Sequence, residues 1–281
     1  MILLEWNSNE KFKKPFNVDN FKDEALLFFS DYEDFIFKGA SLLERINNND
    51  NIQIKRSTKD IDITNLGKNK EELKNIVNEF LKILIDKYDL SNYRIQESEK
   101  TITSDKYYTV DFIDVKSEYV YVNLDFSASA FYNQGFIYNL ELNDINGYDV
   151  NKIYSDKMSA ISTKQIFSRI KDFVDIYNLS FYDNGLITFK KIKYFNDMNE
   201  DFKVGDFKQL LYMKDNVKKA FLKMSGITIL DKDNTTIDKE TLFETMYKRV
   251  IDFIMPFTGI KTSYDFSKFT WDPRNGEWFE D

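Results

Sequence analysis

The chain has neither cysteine nor histidine, and both absences exclude chemistry. Without cysteine there are no disulfides, zinc fingers or thiolate nucleophiles; without histidine, every His-dependent mechanism falls away. Acid–base or metal chemistry must then rest on Asp, Glu, Lys, Tyr, Ser or water, which favours a carboxylate-and-metal site. With 3 prolines and 9 glycines in 281 residues, regular structure with few long loops is expected. No run approaches the ~18 apolar residues of a membrane span. Met1-Ile2-Leu3-Leu4 is followed at once by Glu5, so no secretory signal is read and a soluble cytoplasmic protein is expected. Excess positive charge is missing as well. A formal net charge of −8 argues against a protein that coats nucleic acid, which needs clustered cations, but leaves room for a local basic groove.

What is present is apolar and aromatic. Apolar residues make up 42 % and Phe, Trp and Tyr 16 % of the chain, enough for a packed core and, at this length, for two domains. Helical spacing runs from Asp19 to Tyr32, with Asp19 or Asn20 as N-cap, and from Asn69 to Tyr88, with Leu73, Val77, Phe80, Leu81 and Leu84 on one face. Phe35–Lys38 and Lys59–Thr64 read as strands around a short helix, Ser41–Ile46. Tyr107–Val115 and Glu118–Ser127 are rich in β-branched and aromatic residues and read as a hairpin turning at Lys116-Ser117. From Val150 onward the pattern is helical, over 151–161, 164–179, 185–198, 207–224 and 239–257. The boundary is placed near residue 150: an α/β domain over 1–150, then a helical bundle over 151–281 that contributes to the active-site cleft. The tail beyond Pro256, with Trp271 and Trp278 among charges, reads as an irregular strap.

One stretch organises the rest. Phe35-Ile36-Phe37-Lys38 leads into Gly39-Ala40-Ser41, and Arg56-Ser57-Thr58-Lys59 leads into Asp60-Ile61-Asp62-Ile63. Residues i and i+2 of a strand share a face, so Asp60 and Asp62 point together while Ile61 and Ile63 are buried behind them. Two carboxylates forced together repel unless a cation sits between them, and Mg²⁺ takes oxygen ligands that it often shares with substrate phosphates. A small residue at a helix start lets backbone N–H groups approach phosphate. An Asp-x-Asp pair alone is common on solvated strands; joined to the turn and helix, it points to metal-assisted chemistry on a nucleoside triphosphate. In the second hairpin strand Asp125 falls on the polar face with Tyr121 and Asn123 and is the candidate third carboxylate. Asp111 and Asp114 compete for that role from opposite faces.

A second constellation follows: Asp156-Lys157, then Arg169-Ile170-Lys171-Asp172-Phe173-Val174-Asp175. On a helix Arg169 and Asp172 share a side, as do Lys171 and Asp175; an ordinary salt-bridged surface would look the same. Together with Lys38-Gly39-Ala40-Ser41-Leu42 and Arg56-x-Thr58-x-Asp60-Ile61-Asp62, these motifs resemble, in order, the AbiEii/AbiGii toxin family of nucleotidyltransferases. That family is a branch of the DNA polymerase β-like superfamily.

The resemblance implies an α+β fold: a polymerase-β-like domain with a mixed sheet flanked by helices, followed by a helical C-terminal part. It implies transfer of a nucleotide from an NTP to an acceptor hydroxyl, on an RNA or tRNA end or a protein. It also implies the toxin role in an abortive-infection or phage-defence pair, with a cognate antitoxin. By the same resemblance Lys38, Gly39, Ala40 and Ser41 hold the triphosphate, and Asp60 and Asp62 hold Mg²⁺. Arg56 braces the loop or contacts phosphate, Lys157 neutralises phosphate charge, and Asp175 is required for activity, positioned by Lys171 and Asp172. Ala40 stands where a second glycine is usual in the family. Two rivals remain: a small-molecule nucleotidyltransferase of the aminoglycoside-modifying kind, and a nucleotide- or partner-binding pseudoenzyme.

Overall fold

The computed structural model describes residues 13–46, 53–56, 58–103, 106–128, 135–139, 144–163, 166–183, 187–198, 207–230, 237–260 and 264–280. The expected loop at 47–51 lies outside them. The chain separates into two compact units, residues 1–42 with 58–148, and residues 43–57 with 149–281.

The first unit is built on a seven-stranded mixed sheet. In chain order its strands are β1 (Phe35–Lys38), β2 (Asp60–Asn65), β3 (Tyr93–Glu97), β4 (Tyr107–Asp114), β5 (Val120–Ala128), β6 (Phe136–Asn139) and β7 (Asp144–Gly147). Their spatial order is β3-β4-β5-β2-β1-β7-β6. The central strand β2 runs antiparallel to β1 and parallel to β5, while β4 is antiparallel to both its neighbours. The longer helices of this unit are α1 (Val18–Phe29), α2 (Gly39–Ile46), which continues across the division at Leu42, and α3 (Lys70–Lys87). Alternation assigns the two sheet faces. Phe35, Phe37, Ile61, Ile63, Leu124 and Phe126 are buried, and α1 and α3 cover them: Phe29 packs on Phe126 at 5.3 Å between ring centroids and on Phe80 of α3 at 4.9 Å. Each such ring contributes roughly 1.5–3 kcal/mol by leaving water. The opposite face carries Lys38, Asp60, Asp62, Thr64, Thr109, Asp111, Asn123, Asp125 and Ser127.

Local signals set the helix ends. Asn69 caps α3 by accepting from the Glu71 and Glu72 amides, and Glu72 accepts from the Asn69 amide, a complete capping box. Helix α1 starts a residue earlier than its apolar spacing suggests and is capped by Asn17, whose side chain accepts from the Asn20 amide. Asp19 and Asn20, the caps expected from sequence, lie inside the helix.

The second unit is mainly helical: α4 (Val150–Thr163), α5 (Ile166–Leu179), α6 (Phe189–Met198), α7 (Lys214–Lys223) and α8 (Lys239–Ile254). The single helix expected over 207–224 is split, with Lys208–Tyr212 ending before α7 begins at Lys214. Two features here carried no sequence signal. The strand Gln53–Arg56 pairs antiparallel with Ile227–Leu230, and the tail forms a hairpin of β8 (Phe269–Asp272) and β9 (Glu277–Glu280) in place of an irregular strap. Trp271 is buried, donates from its indole N–H to the Ser180 carbonyl, and packs against Phe253 and Trp278. Arg249 of α8 ties the same corner together through the Ser180 hydroxyl and carbonyl and the Pro273 carbonyl, its guanidinium 3.7 Å from the centre of the Phe181 ring. Among the described residues, no helix is long and apolar enough to cross a membrane.

Candidate active site

The polar face of the first unit's sheet gathers the carboxylates by register. Asp62 on β2 is the direct partner of Asp125 on β5, and Asp60 is the partner of Asn123. On the other side of β2, Lys38 is the partner of Asp62. Thr109 of β4 stands opposite Asp125, and Asp111 opposite Asn123. One row across four strands therefore reads Thr109, Asp125, Asp62, Lys38, and the next row reads Asp111, Asn123, Asp60. Asp62 and Asp125 are half-buried, whereas Asp60 is exposed. Lys38 donates from Nζ to the Ser127 hydroxyl, one residue pair along the same face.

The glycine turn stands directly over this row. Gly39 has φ +72°, the left-handed region where any side chain is strained. A Cβ built there would lie 2.2 Å from Asp62 Oδ2, so any other residue would also have to push that carboxylate aside. Ala40, by contrast, lies inside α2 without a positive φ. The alanine at this position is accommodated without backbone strain. Gly39→Ala is expected to cost at least about 1–3 kcal/mol of stability from the backbone alone, read as a lower midpoint in urea. An unchanged midpoint would mean that the turn has another geometry.

Ser41, in the first turn of α2, is 1 % exposed, and its hydroxyl is buried with no hydrogen-bond partner among the described residues. A buried hydroxyl left unsatisfied costs about 1–3 kcal/mol, and none of the described residues supplies its partner. Hard oxygen donors on one face, an uncommitted hydroxyl and a close-approaching backbone suit a divalent cation with a phosphate chain. The carboxylates do not, however, close into a ready-made cage. Among the described residues no three of Asp, Glu, Cys or His form a group able to hold a metal ion. Asp60 lies at the exposed end of the face, one residue pair away from the Asp62–Asp125 row.

The second constellation lies in the helical unit. Lys157 of α4 places Nζ 2.9 Å from Asp172 Oδ1 and 2.7 Å from Asp175 Oδ2, both on α5. Arg169 Nη1 is 3.5 Å from the other Asp172 oxygen. All three members of the central group are nearly buried, with side chains 12 %, 4 % and 5 % exposed. Burial alone would lower the Lys157 pKa, but the carboxylates of Asp175 and Asp172 outweigh it and raise the group above the ordinary lysine value. Lys171 is exposed while Asp175, one turn further along α5, is buried. Arg56 is paired with Ile227 in the short strand pair; its side chain lies outside the described residues. Sequence spacing gave no sign of Thr109 or Ser127, because which residues stand opposite each other across β4, β5 and β2 is a property of the sheet.

Comparison with known proteins gives this arrangement a family. A family profile described as "Nucleotidyl transferase AbiEii toxin, Type IV TA system" matches residues 24–210. Among solved structures, JHP933 from Helicobacter pylori aligns at 13 % identity with a TM-score of 0.47, covering 85 % of this chain and 92 % of its own. MenT4, a nucleotidyltransferase toxin from Mycobacterium tuberculosis, aligns at 12 % identity with a TM-score of 0.48, covering 85 % and 82 %. Comparison with the curated proteins returns no match. The profile match takes in the Gly39 turn, Asp60, Asp62 and the Lys157–Asp175 group and spans more than half of the chain, which belongs to the AbiEii nucleotidyltransferase toxin family of type IV toxin–antitoxin systems.

Proposed function

We propose that the chain transfers a nucleotide from an NTP to an acceptor hydroxyl on an RNA or tRNA end or a protein, RNA being the acceptor tested first, and that it does so as the toxin partner of a cognate antitoxin in phage defence. The reading rests on one observation: Asp62 and Asp125 are direct neighbours in the ladder, beneath a left-handed Gly39 where a Cβ would meet the Asp62 carboxylate. In the reaction the acceptor oxygen forms a bond to the α-phosphorus while the bond from that phosphorus to the bridging oxygen breaks. Pyrophosphate leaves, and the hydroxyl proton passes to solvent.

Asp60, Asp62 and Asp125 are the residues assigned to hold Mg²⁺, which when bound supplies charge neutralisation for the triphosphate and acidifies the attacking hydroxyl. The Gly39 and Ala40 backbone and the Ser41 hydroxyl cradle the phosphates, so the α-phosphorus is fixed in line for attack. Lys38, beside Asp62 in register, balances the negative charge of the row. Lys157 is committed to the carboxylates of Asp172 and Asp175 within its own unit. Asp172 and Asp175 are accordingly assigned to holding that ammonium in place, with Lys171 at the solvent edge and Arg56 as a phosphate or loop contact.

For the acceptor, exposed Lys219 and Lys223 of α7 and exposed Tyr212 and Met213 just ahead of that helix supply cations and a stacking ring of the kind that suits single-stranded RNA. Lys214, at the start of the same helix, is spent on Glu244, as Lys193 of α6 is on Asp197. The test is incubation of the purified chain with each α-labelled NTP, Mg²⁺ and total RNA, beside a panel of aminoglycosides and other small hydroxyl compounds. Label in an RNA band is the expected result. Label confined to a small molecule would move the substrate class, and no label anywhere would leave the pseudoenzyme reading standing.

A further inference from the structure

Asp125 and Asp60 each have a neutral polar neighbour opposite them in the ladder, and neither neighbour has a role in what has been described so far. Thr109 stands across from Asp125 on β4. It is 1 % exposed, and its hydroxyl is buried with no hydrogen-bond partner among the described residues. Its backbone is fully committed, since the amide donates to the Thr101 hydroxyl and the carbonyl accepts from that same hydroxyl. The side chain alone is left over, on the face that carries the carboxylates. Asn123 stands across from Asp60 on β5. Its backbone amide donates to the Lys59 carbonyl, and its side-chain oxygen is likewise buried without a partner among the described residues.

A threonine in a buried strand position could be a valine at no steric cost, and an unsatisfied hydroxyl there is a liability of about 1–3 kcal/mol. Two such groups flanking the same pair of carboxylates need a common reason. Carboxylates that ligate a cation are themselves oriented by hydrogen-bond donors, and removing those donors typically weakens metal binding 10–100-fold. A hydroxyl has a donor to offer, and so has a carboxamide, whose oxygen and nitrogen exchange places by a half-turn about the terminal bond. Both donors are uncharged, so they orient a carboxylate without competing with a cation for its charge, as a lysine would.

We infer that Thr109 and Asn123 are positioning residues of the candidate site: the Thr109 hydroxyl donates to Asp125 and the Asn123 carboxamide donates to Asp60, fixing both carboxylates toward a shared divalent cation. The inference rests on the reading of Asp60, Asp62 and Asp125 as cation ligands and adds the groups that aim them.

The experiment is binding of Mn²⁺ alone, followed by electron paramagnetic resonance, to the full chain and to Thr109→Val, Asn123→Leu and Asp62→Asn, with the melting temperature of each metal-free variant measured alongside. Thr109→Val and Asn123→Leu are each expected to bind Mn²⁺ about 10–100-fold more weakly. Thr109→Val is expected to melt no lower than the unaltered chain, because it removes an unsatisfied buried hydroxyl while keeping the side chain's shape. A merely structural role predicts the reverse, a lower melting temperature with unchanged Mn²⁺ affinity, and that result overturns the inference. It is also overturned if both variants bind Mn²⁺ normally while Asp62→Asn does not; the ligand reading then survives without it. No Mn²⁺ binding by the unaltered chain overturns the ligand reading and this inference together.

Discussion

Asp62→Asn is expected to lower the proposed nucleotide transfer by about 10²–10³-fold while leaving the melting temperature close to that of the unaltered chain. The substitution keeps the side chain's volume and its place in the ladder between Asp125 and Lys38, so the sheet has no reason to change. It removes one negative charge from the point where two carboxylates meet beneath Gly39. Removing one preorganised charge-stabilising group typically costs about 10²–10³-fold in rate, and Asp62 is the carboxylate nearest the turn assigned to the phosphates. The loss is read in kcat with the labelled-NTP assay, and folding by circular dichroism. Transfer at the unaltered rate in pure Asp62→Asn protein would remove the carboxylate row from the mechanism. Loss of both fold and transfer would show that Asp62 is needed for the sheet.

Lys157→Met is expected to destabilise the helical unit more than substitution of an exposed lysine does. The ammonium sits between Asp172 and Asp175, and all three side chains are close to fully buried. Removing it leaves two adjacent carboxylates without their cation, and breaking a buried ion pair in this way costs about 3–5 kcal/mol. For a chain of this size that is roughly 10 °C in melting temperature. Lys193→Met is the control, since its pair with Asp197 is exposed on both sides and such pairs are worth little.

The pH dependence has a definite sign. Burial alone would depress the Lys157 pKa, but the two carboxylates win and raise it above the ordinary lysine value. The stability this group contributes is therefore fully present below the unfolded lysine pKa of about 10.4 and is lost as pH rises through the higher folded value. The gap in melting temperature between the unaltered chain and Lys157→Met should hold from neutral pH to about pH 10 and narrow only beyond it. A gap that closed below pH 9 would mean that Lys157 is not held by these carboxylates.

The two halves of the candidate site were legible to different degrees. The Gly39 turn could be read because a small residue between an apolar strand and an apolar helix is a local pattern. The shared side of Asp60 and Asp62 could be read because a strand has period two. Arg169 and Asp172 were legible because residues three apart on a helix are neighbours on its surface. Lys171 and Asp175, four residues apart, are close in angle on α5 as the spacing implies, but the solvent boundary passes between them, so Lys171 is exposed and Asp175 buried. The split at Met213, the β8–β9 hairpin and the pairing of Gln53–Arg56 with Ile227–Leu230 each depend on partners distant in sequence, and nothing in the local residues announces them.

The sequence by itself determined the chemistry available to this protein: no thiol, no imidazole, and carboxylates, lysines and hydroxyls grouped in ordered motifs that carry the family. It also determined the strands and helices whose periodicity is local. Only the tertiary structure decided that Asp125 stands beside Asp62, that Gly39 closes over that carboxylate, and that Lys157 lies between Asp172 and Asp175. Register across a sheet and contact between helices come from which apolar faces bury against each other, and that is a property of the whole fold.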